Sequence, residues 1–112
     1  MIYVKKAPVF EAETFVAELD GSKCQSLPAF YKNVATALHF PDYFGKNLDA
    51  FEECLADLSW LADAKAIALV IQKSDLFLKK TTAAKRADVL DIFTEANASP
   101  LDDGRVLKIY GL

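Results

Sequence analysis

Residues Ala66–Gln72 read AIALVIQ. Apolar side chains fill odd and even positions alike, and two isoleucines and a valine stiffen the backbone towards an extended conformation. Seven residues suit a strand better than a buried helix. A strand that is apolar on both sides belongs in a parallel sheet or between two covering layers. Upstream, Thr14–Asp20 (TFVAELD) alternates enough to be a second strand, and Gly21 ends it. Downstream, the turn signal Asp102–Gly104 (DDG) precedes a third, Arg105–Tyr110 (RVLKIY).

The intervals between these strands are helical. Leu27, Phe30, Val34, Ala37 and Leu38 share one face, with Ser26 as N-cap and Pro28 in the first turn. Pro41 restricts Phe40, so this helix must end near Leu38 or His39. Asn47 caps a second helix from Leu48 to about Leu58. After AIALVIQ, a short helix is expected around Leu76–Lys80. A longer one should run from about Lys85 to Asn97, with Val89, Leu90, Phe93 and Ala96 inward. Long helical crossovers imply parallel strands joined right-handedly. The expectation is an α/β fold in two layers, a three-stranded parallel sheet with helices in the crossovers. Residues 1–13 read either as a short extra strand at IYV or as a loosely attached arm, since Pro8 and several charges follow.

The 112 residues carry no repeat or linker-like stretch, which predicts one domain over 1–112. Hydrophobic residues make up 53% of the chain, enough for a real core. No apolar run approaches the ~18 residues of a membrane span, and MIYVKKAPVFEAE lacks the apolar stretch of a secretory signal. Cys24 and Cys54 stand apart from each other and from the one histidine, His39. They read as free thiols, which fits a reducing cytoplasm.

Charge is unevenly placed. From His39 to Asp63 there are six acids and one base, a net of −5 where the whole chain is −3. The remainder is net positive, with its bases gathered in Lys79–Arg86 (KKTTAAKR), read as a solvated loop and helix start. A nucleic-acid binder would show a basic footprint, so direct RNA or DNA binding is not expected. On the second helix Leu48, Phe51, Cys54, Leu55 and Leu58 occupy an arc of about 120°, while Asp49, Glu52, Glu53 and Asp57 fill about 140° opposite. Carboxylates this close repel by a few tenths of a kcal/mol each, partly offset by the helix dipole. The face is either ordinary solvated surface or a docking surface for a basic partner. The segregated bases favour docking, as do the aromatics Tyr43 and Phe44 just ahead of the helix, which suit the frame of an acidic patch.

Enzymatic readings find little support. No Ser–His or Cys–His pairing and no glycine-rich phosphate loop occurs, and no cofactor is implied. A metal-dependent hydrolase would need ligands such as Asp49, Glu53 and Glu95, which follow no ligand-spacing motif.

The stretch Phe40–Leu55, FPDYFGKNLDAFEECL, resembles the signature of the barstar family, intracellular protein inhibitors of small secreted ribonucleases. The likeness centres on Tyr43, Phe44, Gly45, Lys46, Asn47, Leu48, Asp49 and Ala50, continues through Glu53, Cys54 and Leu55, and extends to ALVIQ and to VLDIFTEA on the last helix. It covers about residues 14–112 and leaves 1–13 as an addition. The resemblance implies a one-to-one complex with a small basic secreted ribonuclease such as barnase. The loop Tyr43–Asn47 and the second helix would plug the enzyme's active site. Glu53 would take the place of a substrate phosphate, Asp49 and Glu95 would pair with surrounding bases, and Tyr43 would pack over the rim. Glu52 stands where the family often has tryptophan, and Glu53 where aspartate is commoner. The alternative is an acidic interaction module whose basic partner is not a ribonuclease.

Overall fold

The computed structural model describes residues 1–112. Its elements are β1 (Ile2–Tyr3), β2 (Thr14–Asp20), α1 (Leu27–Ala37), α2 (Leu48–Asp57), β3 (Ala66–Gln72), α3 (Ala83–Ala98) and β4 (Val106–Gly111). All strands pair in parallel, in the order β1-β4-β3-β2. The mixed α/β architecture, the parallel sheet and the helical crossovers are as expected. The strand count is not: the sheet has four strands rather than three. The fourth is β1, whose Ile2 and Tyr3 lie beside Tyr110 and Gly111. It is the short extra strand that IYV offered as one of two readings, and its partner at the far end of the chain is what local sequence does not encode.

Side-chain alternation divides the sheet into two faces. Ala17, Leu19, Ile67, Leu69, Ile71, Leu107 and Ile109 enter the main core beneath the helices. Phe30 of α1 is the hub of that core. Its ring meets Phe51 of α2 at 5.1 Å, Phe77 at 5.1 Å and Phe93 of α3 at 6.1 Å between centroids. These edge-on contacts suit the aromatic quadrupole and fix how the helices sit against one another. Ala68 and Val70, on the opposite face of β3, are buried outside this core. The double-sided apolar pattern of AIALVIQ is thus accounted for by helices on one side and by the N-terminal arm on the other, where Phe10 rests on Tyr110.

The caps follow the sequence. Ser26 and Asn47 accept hydrogen bonds from the N–H groups of Ala29 (3.3 Å) and Ala50 (2.9 Å). Gly21 ends β2 in a short 3₁₀ turn, where a Cβ would press on the Lys73 carbonyl and lie 2.7 Å from the Gln72 carbonyl oxygen. Only glycine allows that approach of backbone to backbone. The short helix expected at Leu76–Lys80 is absent. Residues 73–80 instead form consecutive turns, because Leu78 and Lys80 donate their N–H groups to the carbonyls of Cys24 and Gln25, both at 2.9 Å. Those long-range bonds, and the burial of Phe77 and Leu78, replace the i→i−4 ladder a helix needs.

Both cysteines are free and buried. Burial, with a smaller push from Asp20, raises the Cys24 thiol to about 11, so it stays protonated at neutral pH. No helix is long and apolar enough to cross a membrane.

Candidate functional site

The loop before α2 is built to present one aromatic and bury the next. Phe40 donates its N–H to the Ala35 carbonyl (2.8 Å), and Phe44 closes a turn on Pro41 (3.0 Å). Tyr43 occupies the third position of that turn and is 73% exposed. Phe44 is 8% exposed, with its ring 5.0 Å from Phe40 and 5.9 Å from Tyr31. Phe44 therefore anchors the loop, and Tyr43 is the ring it offers to solvent. Lys46 adopts a left-handed conformation (φ 51°), turning the chain into the helix. Asn47 is fully engaged by the cap. Its Oδ1 accepts from Ala50 and its Nδ2 donates to the Gly45 carbonyl (3.4 Å). A Cβ on Gly45 would stand 3.1 Å from that Nδ2, so the glycine leaves room for the capping amide. Gly45 and Asn47 thus orient α2.

α2 buries Phe51, Cys54 and Leu55 and exposes Asp49, Glu52 and Glu53. Leu58, in the left-handed conformation (φ 51°), closes the helix and is itself buried. The end of α2 is tied down from a distance. Arg105 donates to the carbonyls of Leu58 (2.8 Å), Leu61 (2.7 Å) and Ala64 (3.0 Å), and its Nε reaches Asp103 at 2.8 Å. Asp102 donates its N–H to the Ala56 carbonyl (2.9 Å). Trp60 packs on Phe40 at 6.0 Å and donates its indole N–H to the Leu38 carbonyl (2.9 Å), the partner its burial requires.

The exposed acids fall beside depressions on both sides of α2. On one side Tyr43, Phe44, Ala50, Glu53, Cys54 and Asp57 line a hollow of about 170 Å³. On the other, Glu52 faces Asp88, Asp91 and Glu95 of α3 across a groove of about 310 Å³ floored by Leu48 and Ile92. Tyr43 is thus brought together with Glu53, and Glu52 with Glu95. Asp49, in the first turn, completes the exposed face between them. Asp88 and Asp91 were absent from the sequence-based set. Their spacing of three, then four, residues up to Glu95 is the signal that places all three on one face of α3.

No base neutralises these carboxylates. The ion pairs of the molecule, Lys65–Glu13 and Arg105–Asp103, lie elsewhere. The Cys54 thiol beneath the face is pushed up by its burial and then by Asp57 and Glu53. Asp49, Glu53 and Glu95, the set a metal-dependent hydrolase would have needed, form no cluster of three ligating side chains. The arrangement offers a rigid helix of unpaired carboxylates beside an exposed tyrosine. That chemistry suits cationic side chains arriving on another surface.

A family model described as "Barstar (barnase inhibitor)" matches residues 14–110. The match opens at the first residue of β2 and closes within β4, leaving the arm and β1 outside. The chain is also similar to "Putative ribonuclease inhibitor YrdF" of Bacillus subtilis (strain 168). The two are 27% identical over 89 residues, spanning 80% of this chain and 92% of that protein.

Proposed function

The chain belongs to the barstar family, and from that premise we propose that it inhibits a small, basic, secreted ribonuclease by occupying the enzyme's active site in a one-to-one complex in the cytoplasm. The observation that carries this reading is the unpaired carboxylate face of α2, with Asp49, Glu52 and Glu53 exposed beside Tyr43. A ribonuclease must concentrate positive charge to hold a polyanion. Carboxylates on a rigid helix can take the positions of phosphates and accept charge-assisted hydrogen bonds from the same donors. Pre-organisation by the Asn47 cap and the Arg105 contacts lowers the ordering cost of binding.

In this reading Glu53 enters the phosphate site, Tyr43 covers its rim, and Asp49 and Glu95 meet bases around it. Glu52 adds a carboxylate where relatives often carry tryptophan, so its partner should present a base there rather than an apolar surface. The test is inhibition of RNA cleavage by a panel of small guanyl-preferring ribonucleases. Glu53→Ala should weaken the complex by at least ~2 kcal/mol, roughly 30-fold in Kd. Asp57 is partly buried and accepts the Ser59 N–H (3.2 Å), so Asp57→Ala should matter far less. Equal affinity for the two variants would overturn these roles. No inhibition by the parent, with a different basic protein bound stoichiometrically by the same face, would favour the general acidic module instead.

A further inference from the structure

The sheet has two edges, protected in different ways. Along the β2 edge, Glu18 and Asp20 are the only charges of the strand. A second β2 laid alongside would set carboxylates against carboxylates, which discourages pairing. β4, reading VLKIYG, has no such guard. Its one charge, Lys108, turns away to the Asn97 carbonyl at the end of α3 (2.6 Å). An apolar, β-branched edge of this kind is a template for another copy of itself.

That edge is occupied by the chain's own groups. Asn97 treats Ile109 as a neighbouring strand would, accepting its N–H at Oδ1 (2.8 Å) and directing Nδ2 to its carbonyl (3.5 Å). One step on, β1 takes over: Val4 donates to the Gly111 carbonyl (3.0 Å), with Ile2 beside Tyr110 and Tyr3 beside Gly111. The arm then crosses the back of the sheet, where Phe10 rests on Tyr110 at 5.8 Å. It ends at the Glu11–Thr14 turn and the contacts of Glu13 with Lys65, its carbonyl to the Lys65 N–H (2.9 Å) and its carboxylate to the ammonium (2.8 Å). We propose that residues 1–13 and the Asn97 side chain form a self-cap that closes the β4 edge against a second copy of this chain. The family match begins at residue 14, so the greater part of the device lies outside it.

The test opens the cap in the full chain. Asn97→Ala frees both Ile109 backbone groups, and Val4→Pro removes the donor to Gly111. The parent should sediment as a monomer across a concentration series. The double variant, with its far-UV spectrum unchanged, should reach twice the monomer mass as concentration rises. In that variant the Ile109 amide should exchange with solvent at least tenfold faster on dilution, because only the second copy protects it. A folded double variant that stays monomeric with an exposed Ile109 amide would overturn the proposal, as would a parent that already dimerises through β4. Should the double variant fail to fold, Asn97→Ala alone decides. It too must gain concentration-dependent association, and a folded monomer refutes the cap.

Discussion

Arg105 holds three carbonyl oxygens and one carboxylate, and its side chain is 16% exposed. The planar fork satisfies acceptors that α2 and the turn after it would otherwise leave bare. Lysine keeps the charge but loses the fork, so Arg105→Lys should destabilise the fold by about 2–4 kcal/mol, read as a lower urea midpoint. Asp103 braces the guanidinium, and its carboxyl is held below the usual value first by the Arg105 backbone N–H, against the opposing effect of burial, and then by the Arg105 side chain. A depressed acid stabilises the fold above its unfolded pKa, about 3.9. That contribution is lost as pH falls through the lower folded value. Asp103→Asn should therefore flatten the acid limb of a stability–pH profile below about pH 4. In the sequence Arg105 is simply the first residue of a strand pattern. The three carbonyls it holds lie 41 to 47 positions away, and no local periodicity encodes such contacts.

At the scale of the element, α2 was the most legible part of the chain. Its period, its Asn47 cap and its division into apolar and acidic faces all follow from local rules, and only Leu48 is less buried than its position in the apolar arc implied. The segment 73–80 was least legible, because its own bonds are i→i−3 turns and those of Leu78 and Lys80 run to Cys24 and Gln25 instead of continuing a helix. The acidic face creates a conflict between folding and binding that substitutions can separate. Glu52 shares its groove with Asp88, Asp91 and Glu95, so Glu52→Gln should leave stability unchanged or raise it by a few tenths of a kcal/mol. The same change should weaken a basic partner. Asn47→Ala does the reverse work on the helix: it removes the cap and should lower stability by about 1 kcal/mol with every carboxylate in place. Thermal melts of both variants beside the parent check the two signs. A Glu52→Gln variant clearly less stable than the parent would mean that the carboxylate has a structural partner.

Across the whole molecule, topology and charge obey different logics. The parallel order of β2, β3 and β4 was readable because each crossover is a long helical segment, which leaves few ways to pair the strands. For β1 the sequence offered a short strand at IYV beside a loose arm, and its pairing was not readable, since Ile2 meets Tyr110 at the far end of the chain. Charge segregation, by contrast, is written directly in the sequence. The segment His39–Asp63 carries −5 while the rest is net positive, and folding adds Asp88, Asp91 and Glu95 to the same side. A field of one sign on one side orients a basic partner before contact. The barnase–barstar pair is itself the usual illustration of such steering. Its reach is set by the Debye length, about 10 Å at 0.1 M salt and about 3 Å at 1 M. Raising salt over that range should slow association with a basic ribonuclease by at least tenfold and change dissociation much less, since closely apposed desolvated pairs are poorly screened. The same salt should raise the melting temperature of the free protein, because α2 and α3 then repel less across their groove. Stopped-flow association and thermal melts over one salt series read both effects. If association proved indifferent to salt while the melting temperature rose, the acids would be repelling one another without steering a partner. The face would then be solvated surface rather than a docking site.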